Sequence, residues 1–179
     1  MASTTNRTRL YELAPNYHGV ITLQMAMDAG VPKVELRKLT QRGALERVAR
    51  GVYRVPFAAV DNFSLMAERL ASVGPDSYLI GDSVLSMLDI GVSAPRLTEI
   101  ASPRRFRGAA LPLVQVVPAE NGAEVETING IRVQSVYQIL KARKGRVSDE
   151  RLHGEVEQAW RRGYLSDQAR DQLEALLAN

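Results

Sequence analysis

The chain contains no cysteine. That single absence excludes a disulfide framework, thiolate zinc sites, iron–sulfur ligation and a cysteine nucleophile. Histidine is nearly as scarce, with only His18 and His153, and neither has a neighbouring feature that suggests a general base or a paired ligand such as H-x₃-H. No window approaches the roughly 18 consecutive apolar residues of a membrane span. The opening MASTTNRTRLYELAP also lacks the apolar core of a signal peptide, so the expected location is the cytoplasm, with no membrane partner. There is no internal repeat, low-complexity tract or glycine-rich phosphate loop. What is present is an ordinary globular composition: 179 residues, 45% hydrophobic and 24% charged, enough for one domain or two small ones around a buried core.

The catalytic patterns that come near to fitting all fall short. Gly81-Asp82-Ser83-Val84-Leu85 lacks the second glycine of a nucleophile elbow. Leu97-Thr98-Glu99-Ile100-Ala101 resembles a nuclease's acidic strand, but no lysine follows two residues after Glu99. The other carboxylates are scattered. A binding protein is therefore expected rather than an enzyme, with no catalytic residues, no metal and no cofactor.

The net charge is +3, and its distribution is more informative than its sum. Met1 to Pro56 carries nine Lys or Arg against four Asp or Glu, Phe57 to Val147 ten against nine, and Ser148 to Asn179 four against seven. A basic head suits a polyanion, whose condensed counterions are released when cationic side chains approach. An acidic tail suits a different partner, or is simply a solvated face.

The stretch Gly19 to Val55 has legible punctuation. Thr22 can cap a helix LQMAMDA that stops at Gly30, a residue suited to the left-handed position after a helix. Pro32 then suits the first position of a second helix, KVELRKLTQR, which stops at Gly43. Two helices joined by Gly-Val-Pro form a helix-turn-helix. The residues ALERV and VYRVP around Ala49-Arg50-Gly51 read as a β-hairpin, and a further helix is expected around Thr4 to Ala14. Helix, helix and basic ribbon is the element order of a winged helix.

At about 100° per residue, Leu36 and Leu39 share the buried side of the second helix, while Lys33, Arg37, Thr40 and Gln41 cluster roughly a quarter-turn away. Arg and Lys can donate to guanine O6 and N7, Gln can bind adenine bidentately, and the Pro32 end offers backbone N–H groups to a phosphate. Arg47, Arg50 and Arg54 on the hairpin would supply phosphate or minor-groove contacts. A helical hairpin with a solvated basic face is the plainer alternative.

Beyond a boundary near Pro56 to Asn62, the pattern predicts a helix capped by Asn62 or Asp61, a turn at Gly74-Pro75-Asp76, a strand SYLIG and a helix DSVLSMLDI. Short strands LTEIAS, LPLVQVV and IRVQS follow, separated by turns such as Ala94-Pro95 and Asn129-Gly130. The tail returns to helices capped by Ser148 and Ser166, with Gly163 between them. The expected fold is α+β: a winged helix-turn-helix over residues 1–56, then a mixed α/β domain over 57–179 that ends in helices. Trp160 is expected in the core.

The run GVITLQMAMDAGVPKVELRKLTQRGALERVARGVYRVP, Gly19 to Pro56, resembles the N-terminal winged-helix domain of the AbiEi family of antitoxins, the regulatory half of type IV toxin–antitoxin operons. LERVARGVYRVP is its most specific piece. IGDSVLSMLDIG sits where that family has a helix introduced by Ser-Ala-Leu, here Ser83-Val84-Leu85, and INGIRVQSVYQIL is similar to a later element in which a glycine-led strand runs into a helix. The resemblance implies a repressor that binds inverted repeats upstream of its own operon and opposes a nucleotidyltransferase-like toxin, with dimeric use of half-sites. It carries DNA contact onto Lys33, Arg37, Lys38 and Gln41 and onto Arg47, Arg50 and Arg54. Leu36, Leu39, Leu45, Val48 and Tyr53 become core and hairpin packing, and the second domain becomes toxin-neutralising or dimerising.

A different class of function remains alongside: a protein-interaction module that inhibits the toxin by direct contact, with only non-specific DNA affinity. On that reading Glu155, Glu157, Asp171 and Glu174 would face a basic toxin surface. Arg104-Arg105-Phe106-Arg107 could bind nucleic acid, dock an acidic surface or form a solvated turn. Lys141 to Arg146 reads as a positive helix C-terminus that complements the dipole.

Overall fold

Thr5 opens the first helix, its hydroxyl accepting from the Thr8 amide at 3.2 Å, and α1 (Asn6–Leu13) then tightens through Pro15 into a 3₁₀ turn, Ala14–Tyr17. The structure is a computed structural model and describes residues 5–56, 58, 61–91, 94–108 and 111–178. The chain divides into two compact units, Met1–Pro75 with Asn129–Ile131, and Asp76–Ile128 with Arg132–Asn179.

In the first unit β1 (Val20–Thr22), α2 (Leu23–Asp28), α3 (Lys33–Gln41), β2 (Glu46–Ala49) and β3 (Val52–Arg54) follow α1. The sheet order is β1-β3-β2, antiparallel throughout, with Ile21 opposite Tyr53 and Arg47 opposite Tyr53 on the other side. The strand β1 is not evident from the local sequence. Its last residue, Thr22, is also the cap of α2, accepting from Met25 N at 3.2 Å, so the helix signal overlies the strand. Both expected terminators hold: Gly30 and Gly43 take φ of 75° and 71°, a region open to glycine at little cost. Pro32 is displaced from the expected place. It is the cap itself, extended at φ −71° and ψ 153°, and α3 begins one residue later at Lys33.

Leu10, Ile21, Ala26, Val31, Leu36 and Leu45 form the buried centre of this unit, joined by Leu39 and Tyr53. Burying each large aliphatic side chain contributes about 1.5–3 kcal/mol, which offsets the low intrinsic stability of helices as short as α2 and α3. Val48, expected to pack, is 39% exposed. The unit runs past the Pro56–Asn62 composition change because α4 (Asn62–Val73) packs on β1 and β3. Asp61 is the cap of α4, in a reciprocal arrangement with Ser64.

The second unit holds β4 (Tyr78–Leu79), α5 (Gly81–Met87), β5 (Thr98–Ser102), β6 (Val114–Pro118), β7 (Val125–Ile128), β8 (Ile131–Gln134), α6 (Val136–Lys141), α7 (Asp149–Arg161) and α8 (Asp167–Leu177). Its mixed sheet is ordered β6-β5-β4-β8-β7, with β4 antiparallel to β5 but parallel to β8, and β5 parallel to β6. The strand β6 starts later than LPLVQVV suggests, because Leu113 takes φ 57° and breaks the extended run. The strand β7, VETI, is not among the strands expected from sequence, although Val125, Thr127 and Ile128 are β-branched residues that favour strands. Asn129 and Gly130, both at positive φ, make the tight turn into β8. Ser148 and Ser166 cap α7 and α8 as expected.

Two expectations for the tail need correction. Trp160 is half-buried rather than in the core: its Nε1 donates to Asp167 at 2.7 Å and the Arg170 guanidinium lies 4.3 Å above its ring. Glu155 is no surface group, being 1% exposed. It accepts from Arg143 Nε at 2.7 Å and Arg151 Nε at 3.0 Å, and Arg143 also pairs with Asp82. Arg143, read from sequence as part of a positive helix end, is the centre of this buried network.

Candidate nucleic-acid interface

The surface between the helix-turn-helix and the wing is an open groove of about 1280 Å³ lined by residues of α2, α3 and the hairpin. Lys33, Arg37, Thr40 and Gln41 reach it from α3, and Arg47 and Arg50 from the wing. They converge because Leu36 and Leu39 turn inward and fix the rotation of α3, while Gly51, at φ 75°, folds β2 back on β3 and sets Arg50 at the hairpin tip. Among the described residues, Lys33, Arg37, Arg47 and Arg50 have no carboxylate partner; Arg47 Nε donates only to Ala49 O, at 3.3 Å. Unneutralised cations gathered in one concavity raise the local concentration of anionic ligands. Thr40 is less available, since its hydroxyl donates to Leu36 O at 2.8 Å.

Two of the expected contact residues stand elsewhere. Lys38 lies about 100° round the helix from Arg37 and is tied to Glu35 at 2.7 Å; it does not line the groove. Arg54 is engaged within the fold, its Nη2 2.6 Å from Glu46 Oε2 and its Nη1 2.8 Å from Glu68 Oε1. The Glu46 hydrogen bond raises its pKa most, burial opposes it, and Glu68 adds to the rise, so the guanidinium stays protonated as a structural tie. The groove also contains residues absent from the sequence-based set: Gln24 and Met27 of α2, and Val34 of α3. Val34 could have been found by the same helical-face arithmetic, lying about 20° from Gln41, but an apolar residue does not announce itself as a contact.

Elsewhere, Ser83 is 1% exposed and its Oγ accepts from Glu99 N at 2.8 Å, a structural bond rather than a nucleophile's setting. Among the described residues no group of three or more His, Asp or Glu is placed to hold a metal ion, and no helix is long and apolar enough to cross a membrane. Arg104, Arg105 and Arg107 are exposed beyond β5, with Arg104 3.4 Å from Asp76.

A helix-turn-helix followed by a two-stranded wing, with a basic groove between them, defines a winged-helix head of the DNA-binding type. Residues 9–56, which make up this head, match the AbiEi_4 family model, described as transcriptional regulator, AbiEi antitoxin. Over that stretch the chain is similar to the transcriptional regulators of the AbiEi antitoxin family. A solved structure, the RV2827C protein from Mycobacterium tuberculosis, is similar over 94% of this chain and 79% of its own, at 19% identity and a TM-score of 0.42. No curated protein matches the chain.

Proposed function

We propose that this protein is a sequence-specific DNA-binding autorepressor and the antitoxin of a type IV toxin–antitoxin pair, counteracting a nucleotidyltransferase-like toxin from within the cytoplasm. The observation that carries the reading is the convergence of Lys33, Arg37, Arg47 and Arg50, all without carboxylate partners, in one groove of a segment that matches an antitoxin regulator family. On this reading α3 enters the major groove of inverted repeats upstream of the operon. There Arg37 donates to guanine, Gln41 pairs with adenine, and Lys33 meets a phosphate near the helix start. Arg47 and Arg50 hold the wing against the backbone. The second unit serves the antitoxin side, by dimerising on DNA or by touching the toxin, and the protein regulates without a catalytic reaction of its own.

Direct docking of an acidic tail on the toxin has less support. Glu155 is buried, and Glu157, Asp171 and Glu174 are paired with Arg161, Arg170 and His153. The test is fluorescence anisotropy of the full chain on the duplex upstream of its own gene against a shuffled duplex, from about 50 to 200 mM salt. Preference for the native duplex that survives the higher salt is expected. Equal binding to both duplexes that salt erases would overturn the proposal.

A further inference from the structure

The groove is basic, yet two of its exposed side chains are apolar. Val34 is 56% exposed and Met27 53%, both lining it alongside Lys33 and Arg37. In the same head Leu36, Leu45, Ile21 and Val31 are fully buried, so the core does not lack for apolar residues and gains nothing from these two. Helix propensity does not explain Val34 either, since a β-branched residue is a poorer helix former than the Lys, Arg or Gln around it.

We propose that Val34, with Met27 lining the same groove, reads the C5-methyl group of thymine in the operator. That methyl is the one apolar group that any base edge presents in the major groove, and a basic groove fitted to a polyanion brings no other apolar surface to α3. Valine in a helix holds essentially one χ1 rotamer, so its two methyl groups form a rigid, shape-specific contact. Methionine, with three rotatable bonds, can adapt its shape to the surface that the groove meets. Val34 is one turn from Arg37, a rise of about 4.5 Å, which sets the thymine next to the base that Arg37 contacts. The inference rests on the proposal that α3 enters the major groove, and it makes Val34 a specificity-determining residue there.

The test replaces thymine by deoxyuridine in the duplex upstream of the gene, which removes the methyl and leaves every hydrogen-bonding group in place. With the full-length protein, anisotropy should show affinity falling about four-fold for each methyl that is read, and single replacements should localise the loss to one position per half-site. Val34→Ser and Val34→Ala, both changes at an exposed helical position, should bind thymine and deoxyuridine duplexes equally. Arg37→Ala should bind more weakly but keep the difference. Native-over-shuffled preference with no thymine–deoxyuridine difference would overturn this inference alone, as would a difference that persists in both Val34 variants. Failure to prefer the native duplex at all would overturn the DNA reading and this inference with it.

Discussion

Arg54 Nη1 lies 2.8 Å from Glu68 Oε1, tying the last strand of the wing to α4 across fourteen residues of chain. Glu68 is buried, so removing its partner leaves a carboxylate with little water to solvate it. Arg54→Ala should destabilise the first unit by about 1–3 kcal/mol, measured by denaturant unfolding. The protein that remains folded should keep its preference among DNA sequences. A loss of DNA affinity with stability unchanged would restore Arg54 as a contact.

Arg37 and Lys38 are adjacent in sequence but face different ways. Arg37→Ala should cost about 1–3 kcal/mol of binding and relax preference at one base pair. Lys38→Ala removes only an exposed pair with Glu35, worth about 0.2–0.5 kcal/mol to the helix, and should leave DNA binding nearly intact. Titration of both variants on native and single-substituted duplexes checks the distinction.

The wing cations should behave as phosphate contacts. Arg47→Ala and Arg50→Ala should each weaken native and shuffled duplexes alike and reduce the slope of log K against log salt by about 1. A salt slope unchanged from that of the unaltered protein would remove the wing from the interface.

In the second unit, Glu155→Gln should be among the most damaging single changes. Arg143, whose side chain is 11% exposed, would lose its buried carboxylate and face the solvated Asp82 alone. Breaking a buried pair in this way costs about 3–5 kcal/mol. The paired change Glu155→Leu with Arg143→Met should be far milder than Glu155→Gln or Arg143→Met alone, as unfolding midpoints of the three variants would show.

The cap of α4 gives the first unit a pH dependence. Hydrogen bonds from the Ser64 backbone N–H and then its hydroxyl lower the Asp61 pKa. The contribution is therefore complete above the unfolded value of about 3.9 and is lost as pH falls through the lowered folded value. Asp61→Ala should cost about 0.5–2 kcal/mol at neutral pH, with the gap to the unaltered protein closing in acid. Asp61→Asn, an equally good cap without a charge, should stay flat across the same range.

What could be read from the sequence follows the range of the interactions involved. Caps at Thr22, Ser148 and Ser166 and terminators at Gly30 and Gly43 act within one turn, so their chemistry is written in adjacent residues. The inward turn of Leu36 and Leu39 follows from helical spacing alone and brings Lys33, Arg37 and Gln41 onto the groove. The strand β1 is held by β3, some thirty residues away in the chain, and its three residues hold no period long enough to detect. The partners of Arg54 and Glu155 are hidden from the sequence for the same reason. Their charges look solvent-facing until Glu68 and Arg143 arrive from distant elements.

The brevity of α3 sets a limit on what one head can specify. Nine residues span about 13.5 Å, which covers about four base pairs at roughly 3.4 Å each. Four pairs recur by chance about once in every 256, far too often to single out one promoter among the millions of competing sites in a genome. If α3 reads an operator as proposed, a single head carries only a fraction of the information that such an address requires. On the proposed reading, repression of one gene would need at least two heads to pool their readings on the same stretch of DNA.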